Sequence, residues 1–197
     1  MRLDDSMLYL CVETEQAGSA DTSEFCSAAI AGGVDIISLD CSSQSRTLEE
    51  NAVEIAEICR SNDALFIVGD NAELAARLGA DGVHLTPIES SIGIARAVTG
   101  MQSLVGMSTR SVDEAFLALE VGADYLIHLK GTACRDDFAA VAGGGAAPMF
   151  AGGIGGKDEA ERIVESGVYR LCVSSEIFKG DGFEEAAELS RLLGRSI

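Results

Sequence analysis

The sequence contains few of the residues that commonly mark nucleic-acid, membrane or metal sites. Among its 197 residues there are no Trp, 2 His and 2 Pro, and only 14 Lys and Arg stand against 32 Asp and Glu. The formal net charge of −18 argues against broad electrostatic attraction to nucleic acid or an anionic membrane. We therefore expect neither partner, and any phosphate-bearing ligand needs a local site made of backbone N–H groups, lysine or a metal.

The six cysteines lack the spacing of a metal or redox motif. No C-x-x-C pair and no histidine cluster occurs, so neither a zinc site nor a thiol–disulfide centre is predicted. No apolar run approaches the length that spans a membrane, and the first residues lack the apolar core of a secretory signal peptide. The expected location is a reducing cytoplasm.

What the sequence does contain is an internal repeat led by glycine. A helix-like stretch ends in Gly33, Gly79, Gly122 and Gly167, and an apolar, strand-like run follows each within two or three residues. The intervals of 46, 43 and 45 residues suit two strand–helix pairs per repeat. Glycine closes a helix in the left-handed conformation, and the Asp that follows three of these glycines starts a tight turn. Four such repeats predict eight strands.

The eight predicted strands alternate with segments of helical spacing. The odd strands cover 8–13, 65–70, 104–109 and 149–154, and the even strands cover 36–40, 83–86, 125–130 and 170–174. Alternation of this kind predicts a parallel sheet, and its even repetition favours closure over an open, doubly wound sheet. The predicted fold is α/β, a (β/α)8 or TIM barrel, with residues 1–197 forming one domain.

Acidic residues stand at or just beyond four predicted strand ends, where ligands bind in such barrels. They are Glu13, Asp40, Asp70 and Glu89. Carboxylates combined with a phosphate ligand suit Mg2+, which keeps several waters and needs one or two protein carboxylates. The alternative is that single acids cap the next helix, as Asp70 would before 72–74.

Glycines and serines end the last two predicted strands, where barrels commonly bind phosphate. Gly152 and Gly153 follow strand seven, and Val173, Ser174 and Ser175 end strand eight. Glycine lets the backbone approach an anion closely. This pattern predicts a phosphate cradle, with a tight turn into the next helix as the alternative.

The two histidines are the only side chains whose ordinary pKa lies near neutrality. His84 stands in the middle of strand four and is predicted to be a hydrogen-bonded interior residue. His128 stands near the end of strand six, on the same side of the strand as Lys130 and opposite Leu129. We expect His128 to face the site, close to Lys130, and it is the candidate general acid or base.

Several motifs resemble the thiamine phosphate synthase family, which includes thiazole tautomerase relatives. They lie at 65–70 (LFIVGD), 78–85 (LGADGVHL), 105–109 (VGMST), 120–125 (EVGADY), 151–154 (AGGI) and 173–178 (VSSEIF), in family order across nearly the whole chain. The resemblance implies that a hydroxymethylpyrimidine diphosphate is joined to a thiazole phosphate with Mg2+ and release of diphosphate. The implied ligand is thus a small phosphorylated heterocycle.

The resemblance also implies roles for individual residues. Asp70 matches a magnesium-binding Asp, and Glu89 lies where a second metal carboxylate is expected. Ser108 matches a serine that contacts the diphosphate. The positions that match the thiazole-phosphate cradle are Gly153, Val173 and Ser174.

The chain departs from the family pattern where the diphosphate is held. The family ends strand two in a Gln-x-Arg pattern followed by Lys, whereas this chain has Asp40 and Ser42 in place of the two cations. Replacing Arg by Asp beside a diphosphate turns attraction into repulsion. Gly69 replaces an Asn that reads the pyrimidine, and Thr86-Pro87 replaces Gly-Gln. The loop after strand six is also shortened.

Three functions therefore remain open from the sequence. The first is an active synthase in which Lys130 or Arg110 replaces the lost cations. The second is an isomerase or other enzyme acting on a phosphorylated thiazole or small heterocycle, with His128 or Glu13 as acid or base. The third is a non-catalytic paralogue that binds a phosphorylated ligand. A homo-oligomer is compatible with each.

Overall fold

Eight parallel strands close into a barrel in the computed structural model of the chain. The strands follow one another around the barrel in sequence order, and the eighth pairs with the first. The structure describes residues 2–13, 21–40, 46–86, 91–131, 135–142, 147–178 and 180–196. The predicted TIM barrel is confirmed. None of the helices in the described ranges is long and apolar enough to cross a membrane.

Each strand is followed by a helix. The strands are β1 Leu8–Val12, β2 Ile36–Leu39, β3 Leu65–Gly69, β4 Gly82–Leu85, β5 Leu104–Thr109, β6 Tyr125–Leu129, β7 Met149–Gly152 and β8 Leu171–Ser174. The helices are α1 Thr22–Ala31, α2 Arg46–Ser61, α3 Ala72–Leu78, α4 Ile92–Thr99, α5 Val112–Glu120, α6 Arg135–Ala142, α7 Lys157–Glu165 and α8 Phe183–Leu192. Short 3-10 turns cover Leu3–Asp5 and Ser175–Ile177. The predicted strand bounds agree to within two residues.

The aspartates of the repeat connect the amino ends of neighbouring strands. The carboxylate accepts a backbone hydrogen bond from the preceding strand in three repeats: Asp35 from Leu8 (3.0 Å), Asp81 from Phe66 (2.8 Å) and Asp124 from Val105 (2.7 Å). The repeated glycines do adopt positive φ, as predicted, from 61° at Gly79 to 101° at Gly33. The repeat therefore fixes strand pairing at the end of the barrel opposite the predicted site.

The lower part of the barrel interior is filled by side chains. Its buried cluster comprises Tyr9, Ile36, Leu65, Ile67, Tyr125, Ile127, Phe150 and Cys172. The Tyr9 and Tyr125 hydroxyls lie 3.4 Å apart. The Tyr125 ring lies directly against Gly106, its register partner on β5, where an added Cβ would overlap the ring. Above this layer the interior opens toward the carboxyl ends of the strands.

Candidate functional site

A cavity of about 320 Å³ opens above the filled layer. It is lined by Tyr9, Cys11, Glu13, Ser38, Asp40, Gly69, Asp70, His84, Thr86, Ser108, Ile127, Leu129, Gly153, Ile154, Cys172, Val173 and Ser174. The strand residues are mostly alternate ones, because side chains on a strand point to opposite faces in turn. This volume lies at the small end of the range for small-molecule sites.

Most of the residues predicted for the site meet in this cavity. Seven of them line it: Glu13, Asp40, Asp70, Ser108, Gly153, Val173 and Ser174. Gly152 and Ser175 do not line it. A Cβ at Gly152 would approach the Ile127 Cγ2 atom to 2.7 Å, so this glycine permits packing against β6. The predicted metal ligand Glu89 lies outside the described residues.

Asp70 is held at the mouth of the cavity by the neighbouring strand end. Its Oδ1 accepts a hydrogen bond from the Thr86 backbone N–H at 2.8 Å, and its Oδ2 accepts one from the Thr86 hydroxyl at 2.9 Å. The residue that caps α3 is Asn71, whose Oδ1 accepts from the Leu74 N–H at 2.9 Å. The alternative that Asp70 caps this helix is therefore wrong.

Glu13 adds a third carboxylate to the cavity beside Asp40 and Asp70. The Ser174 hydroxyl donates to Glu13 Oε1 at 2.8 Å, and the Glu13 N–H donates to Ser175 Oγ at 3.2 Å. The carboxylate of Glu13 is thus fixed by the end of β8. Neither Lys nor Arg occurs among the described residues that line the cavity. The described lining therefore contains three acidic side chains and no basic one.

His84 is one of the buried polar residues of the cavity wall. Its Nε2 lies 2.8 Å from Ser108 Oγ, which confirms the prediction of a hydrogen-bonded interior histidine. Its Nδ1 is buried and has no partner among the described residues. Burial lowers the pKa of His84 to about 4, so the ring is neutral at neutral pH. Sequence reasoning missed that this interior residue also lines the site, although its alternation with Thr86 was a usable signal.

His128 does not lie in the cavity, so the prediction that it faces the site is wrong. Ile127 and Leu129 point inward, and the intervening His128 points out toward α6. Its Nε2 lies 2.8 Å from Asp137 Oδ2, and its Nδ1 lies 2.9 Å from Thr109 Oγ1. An acid or base role for His128 in the cavity gains no support from this placement.

Lys130 shares the carboxylate that binds His128. Its Nζ donates to Asp137 Oδ2 at 2.8 Å. The hydrogen bond from Lys130, followed by that from His128, lowers the pKa of Asp137. Lys130 and Arg110, the two cations considered as substitutes for the lost ones, are absent from the cavity lining. The predicted shared side of His128 and Lys130 is confirmed, but that side faces a helix.

The carboxylates of the cavity are the donor type that Mg2+ prefers. No group of three or more His, Cys, Asp or Glu in the described ranges is arranged to hold a metal. Mg2+, however, is commonly bound through one or two carboxylates together with substrate phosphates and water. Asp70 is exposed at the mouth, and each of its oxygens retains a lone pair beyond the bond from Thr86. Asp70 therefore fits this mode of binding.

Comparison with known proteins identifies the family. The family model described as thiamine monophosphate synthase matches residues 8–177. The chain belongs to this family. Thiamine-phosphate synthase of Natronomonas pharaonis is 34% identical over 92% of both chains, and that of Thermobifida fusca is 33% identical over 98% of this chain and 94% of its own.

Solved structures agree with this family. Thiamine phosphate pyrophosphorylase from Pyrococcus furiosus superposes with a TM-score of 0.82 at 25% identity, covering 98% of both chains. Orotidine 5'-phosphate decarboxylase from Pyrococcus horikoshii superposes with a TM-score of 0.69 at 13% identity, which shows the shared barrel fold alone. The thiamine monophosphate synthase match thus spans the strands whose ends form the cavity.

Proposed function

We propose that the protein couples a hydroxymethylpyrimidine diphosphate to a thiazole phosphate in this cavity and releases diphosphate. The observation that carries the proposal is that Asp70, Ser108 and Gly153 line one cavity in a chain of this family. Ser108 lies in β5, and Asp70 and Gly153 directly follow β3 and β7, so closure of the barrel brings the three together. The ligand is therefore a small phosphorylated heterocycle bound at the carboxyl ends of the strands.

Ser108 and Asp70 are the residues assigned to the diphosphate. Asp70 would hold Mg2+, which when bound supplies neutralisation of the charge on the departing diphosphate. Ser108 is held in place by its hydrogen bond with His84 and presents its hydroxyl to the cavity. When the neutral His84 ring donates its Nε2–H to Ser108 Oγ, the Ser108 hydroxyl is left to donate to the diphosphate. A donor fixed in this way needs little reorganisation when charge develops on the leaving group.

The carboxylates of Glu13 and Asp40 are assigned to the positive charge that develops during the reaction. As diphosphate leaves a benzylic-type carbon, positive charge develops on that carbon and its ring. Glu13 and Asp40 line the same cavity and would stabilise this charge. Ile127, Leu129 and Ile154 line the same cavity, and their apolar side chains would limit the access of water to the reacting carbon.

The thiazole phosphate is assigned to the ends of β7 and β8. Gly153 is exposed with φ of 73°, a conformation that turns its peptide at the cavity mouth. Val173 and Ser174 line the cavity beside it. Because a lone serine hydroxyl already donating to Glu13 cannot neutralise a phosphate, backbone N–H groups at these strand ends are the expected anion ligands.

The experiment is incubation of the protein with both precursors and Mg2+, followed by quantification of thiamine phosphate and diphosphate. We expect equimolar products, loss of product on chelation of Mg2+, and at least a hundredfold lower rate for Asp70→Asn. Glu73→Gln, which removes an exposed acid in the first turn of α3, is the matched control and is expected to retain the wild-type rate. If the wild-type protein forms no thiamine phosphate, the proposal is wrong.

A second candidate function is supported by the negative charge of the cavity lining. Asp40 stands where the family has a diphosphate-binding cation, and the described lining contains no Lys or Arg. Such a cavity favours a ligand that carries a monophosphate only, as in isomerisation or simple binding of a thiazole phosphate. Calorimetry with thiazole phosphate and NMR of the same mixture distinguish the two cases: binding with a change of tautomer indicates an isomerase, and binding without conversion indicates a non-catalytic protein.

A further inference from the structure

We propose that Thr86 is a positioning residue that fixes the Asp70 carboxylate for a divalent cation at the cavity mouth. The inference rests on the proposed function only in taking Asp70 as the cation ligand. Thr86 occupies a position where the resemblance leads one to expect glycine, a residue that has no side chain to donate a hydrogen bond. The bond from the Thr86 hydroxyl is therefore a property of this chain, whereas a glycine would keep the bond from the backbone N–H.

Thr86 donates two hydrogen bonds to Asp70, one to each carboxylate oxygen. The Thr86 N–H reaches Asp70 Oδ1 at 2.8 Å, and the Thr86 hydroxyl reaches Oδ2 at 2.9 Å. A single hydrogen bond would leave the carboxylate free to rotate about its last torsion. Two bonds from one residue, one to each oxygen, fix the plane of the carboxylate, and with it the direction of the remaining lone pairs.

The backbone of Asp70 is fixed as well. Its φ of 45° lies in the left-handed region, which non-glycine residues seldom adopt. Its N–H donates to the His84 carbonyl at 2.8 Å, so the main chain of Asp70 is tied to the same strand end as its side chain. Strained backbone that is held from several sides is common at binding sites.

Thr86 is poorly suited to a purely structural role. It is exposed, as is Asp70, so the pair contributes little to the packing of the barrel. Its hydroxyl points to a carboxylate that lines the cavity. Residues that hydrogen-bond to a metal-ligating carboxylate orient it, and their loss commonly lowers metal affinity by about 10- to 100-fold.

Binding of Mn2+, followed by electron paramagnetic resonance of the free ion, tests this role without any catalytic assay. Thr86→Val removes the hydroxyl and keeps the shape and the backbone N–H. We expect it to weaken Mn2+ binding by about tenfold, with Thr86→Ser within about threefold of wild type and Asp70→Asn without measurable binding. Mg2+ is expected to compete for the same site.

An unchanged or higher Mn2+ affinity of Thr86→Val, or a wild-type protein that binds no Mn2+, overturns the inference. Each variant is measured well below its own unfolding midpoint, so that loss of fold is not counted as loss of the site. A purely structural role predicts a lower midpoint with unchanged affinity of the folded protein, which also contradicts the inference. If Mn2+ binding behaves as expected but no thiamine phosphate forms, the proposed reaction fails while the role of Thr86 stands.

Discussion

His128 Nε2 lies 2.8 Å from Asp137 Oδ2, and this contact places the imidazole between β6 and α6, outside the cavity. His128 is fully buried there, and Thr109 Oγ1 lies 2.9 Å from its other ring nitrogen. A buried histidine with two partners and no opening to the ligand is expected to contribute to stability. Both of its ring nitrogens have partners outside the cavity.

Replacement of His128 by Ala tests this assignment. Loss of the ring leaves the Thr109 hydroxyl and Asp137 with fewer partners, and we expect the free energy of unfolding to fall by about 2 kcal/mol. Urea unfolding measures this loss. The coupling rate per folded molecule is expected to stay within about twofold of wild type. A rate loss of a hundredfold in a variant of normal stability would show that His128 takes part in the chemistry.

His84 makes stability depend on pH. Because burial lowers its pKa to about 4, the unfolded chain binds a proton more readily than the folded one. The contribution of His84 to the free energy of unfolding is therefore fully present above about pH 6.5, the pKa of histidine in the unfolded chain. It is lost as the pH falls toward 4, by roughly 3 kcal/mol in all. Urea unfolding between pH 7 and pH 4 measures this slope.

His84→Gln is the control for that slope, since every other titrating group remains. The difference in slope between wild type and variant isolates the contribution of His84. We expect the variant to lose the part of the slope between the two pKa values. An NMR titration that finds the His84 ring changing charge near its ordinary pKa contradicts the burial of a neutral imidazole at the cavity wall.

Gly106 is required by the packing of Tyr125. A Cβ at this position would overlap the Tyr125 ring, so Gly106→Ala is expected to lower the free energy of unfolding by about 3 kcal/mol. Gly93→Ala is the matched control, because its Cβ would meet only Ser91 Oγ at an ordinary 3.6 Å, and a helical Gly→Ala change stabilises by about 0.5–1 kcal/mol. Equal effects of the two substitutions would show that the ring does not lie against Gly106.

Asp40 is expected to weaken the binding of diphosphate. Removal of its charge by Asp40→Asn should raise the affinity for inorganic diphosphate in the presence of Mg2+ by about fivefold, because like charges in a partly enclosed cavity repel. Isothermal titration calorimetry measures the change. Asp113→Asn removes an exposed acid in the first turn of α5 and should have no effect. Unchanged affinity on removing Asp40 would place the diphosphate elsewhere.

The barrel could be predicted because its signal is distributed along the chain. The glycines from Gly33 to Gly167 recur at the spacing of two strand–helix units, and each adopts the positive φ that ends a helix. Local patterns of this kind need no knowledge of distant contacts. The hydrogen bonds that Asp35, Asp81 and Asp124 accept from the preceding strands were not foreseen, because they join residues far apart in sequence.

The site was predicted where strand position alone decides it, and missed where orientation decides it. Asp70 and Ser108 stand at strand ends and line the cavity. His128 also stands near a strand end, but whether it faces inward depends on which set of alternate residues fills the barrel, and a polar residue on the outer face gave no local sign of this. The hydrogen-bond partner of Asp70 could not be predicted from sequence spacing, since Asp70 follows β3 and Thr86 follows the neighbouring strand β4.

The most direct test of the account is a crystal structure of the protein soaked with thiazole phosphate, inorganic diphosphate and Mg2+. The account predicts the phosphate of the thiazole against Gly153 and Ser174, and the diphosphate near Ser108 with the metal on Asp70. Ordered ligands outside the cavity, or an empty cavity at ligand concentrations that saturate binding in solution, would contradict it.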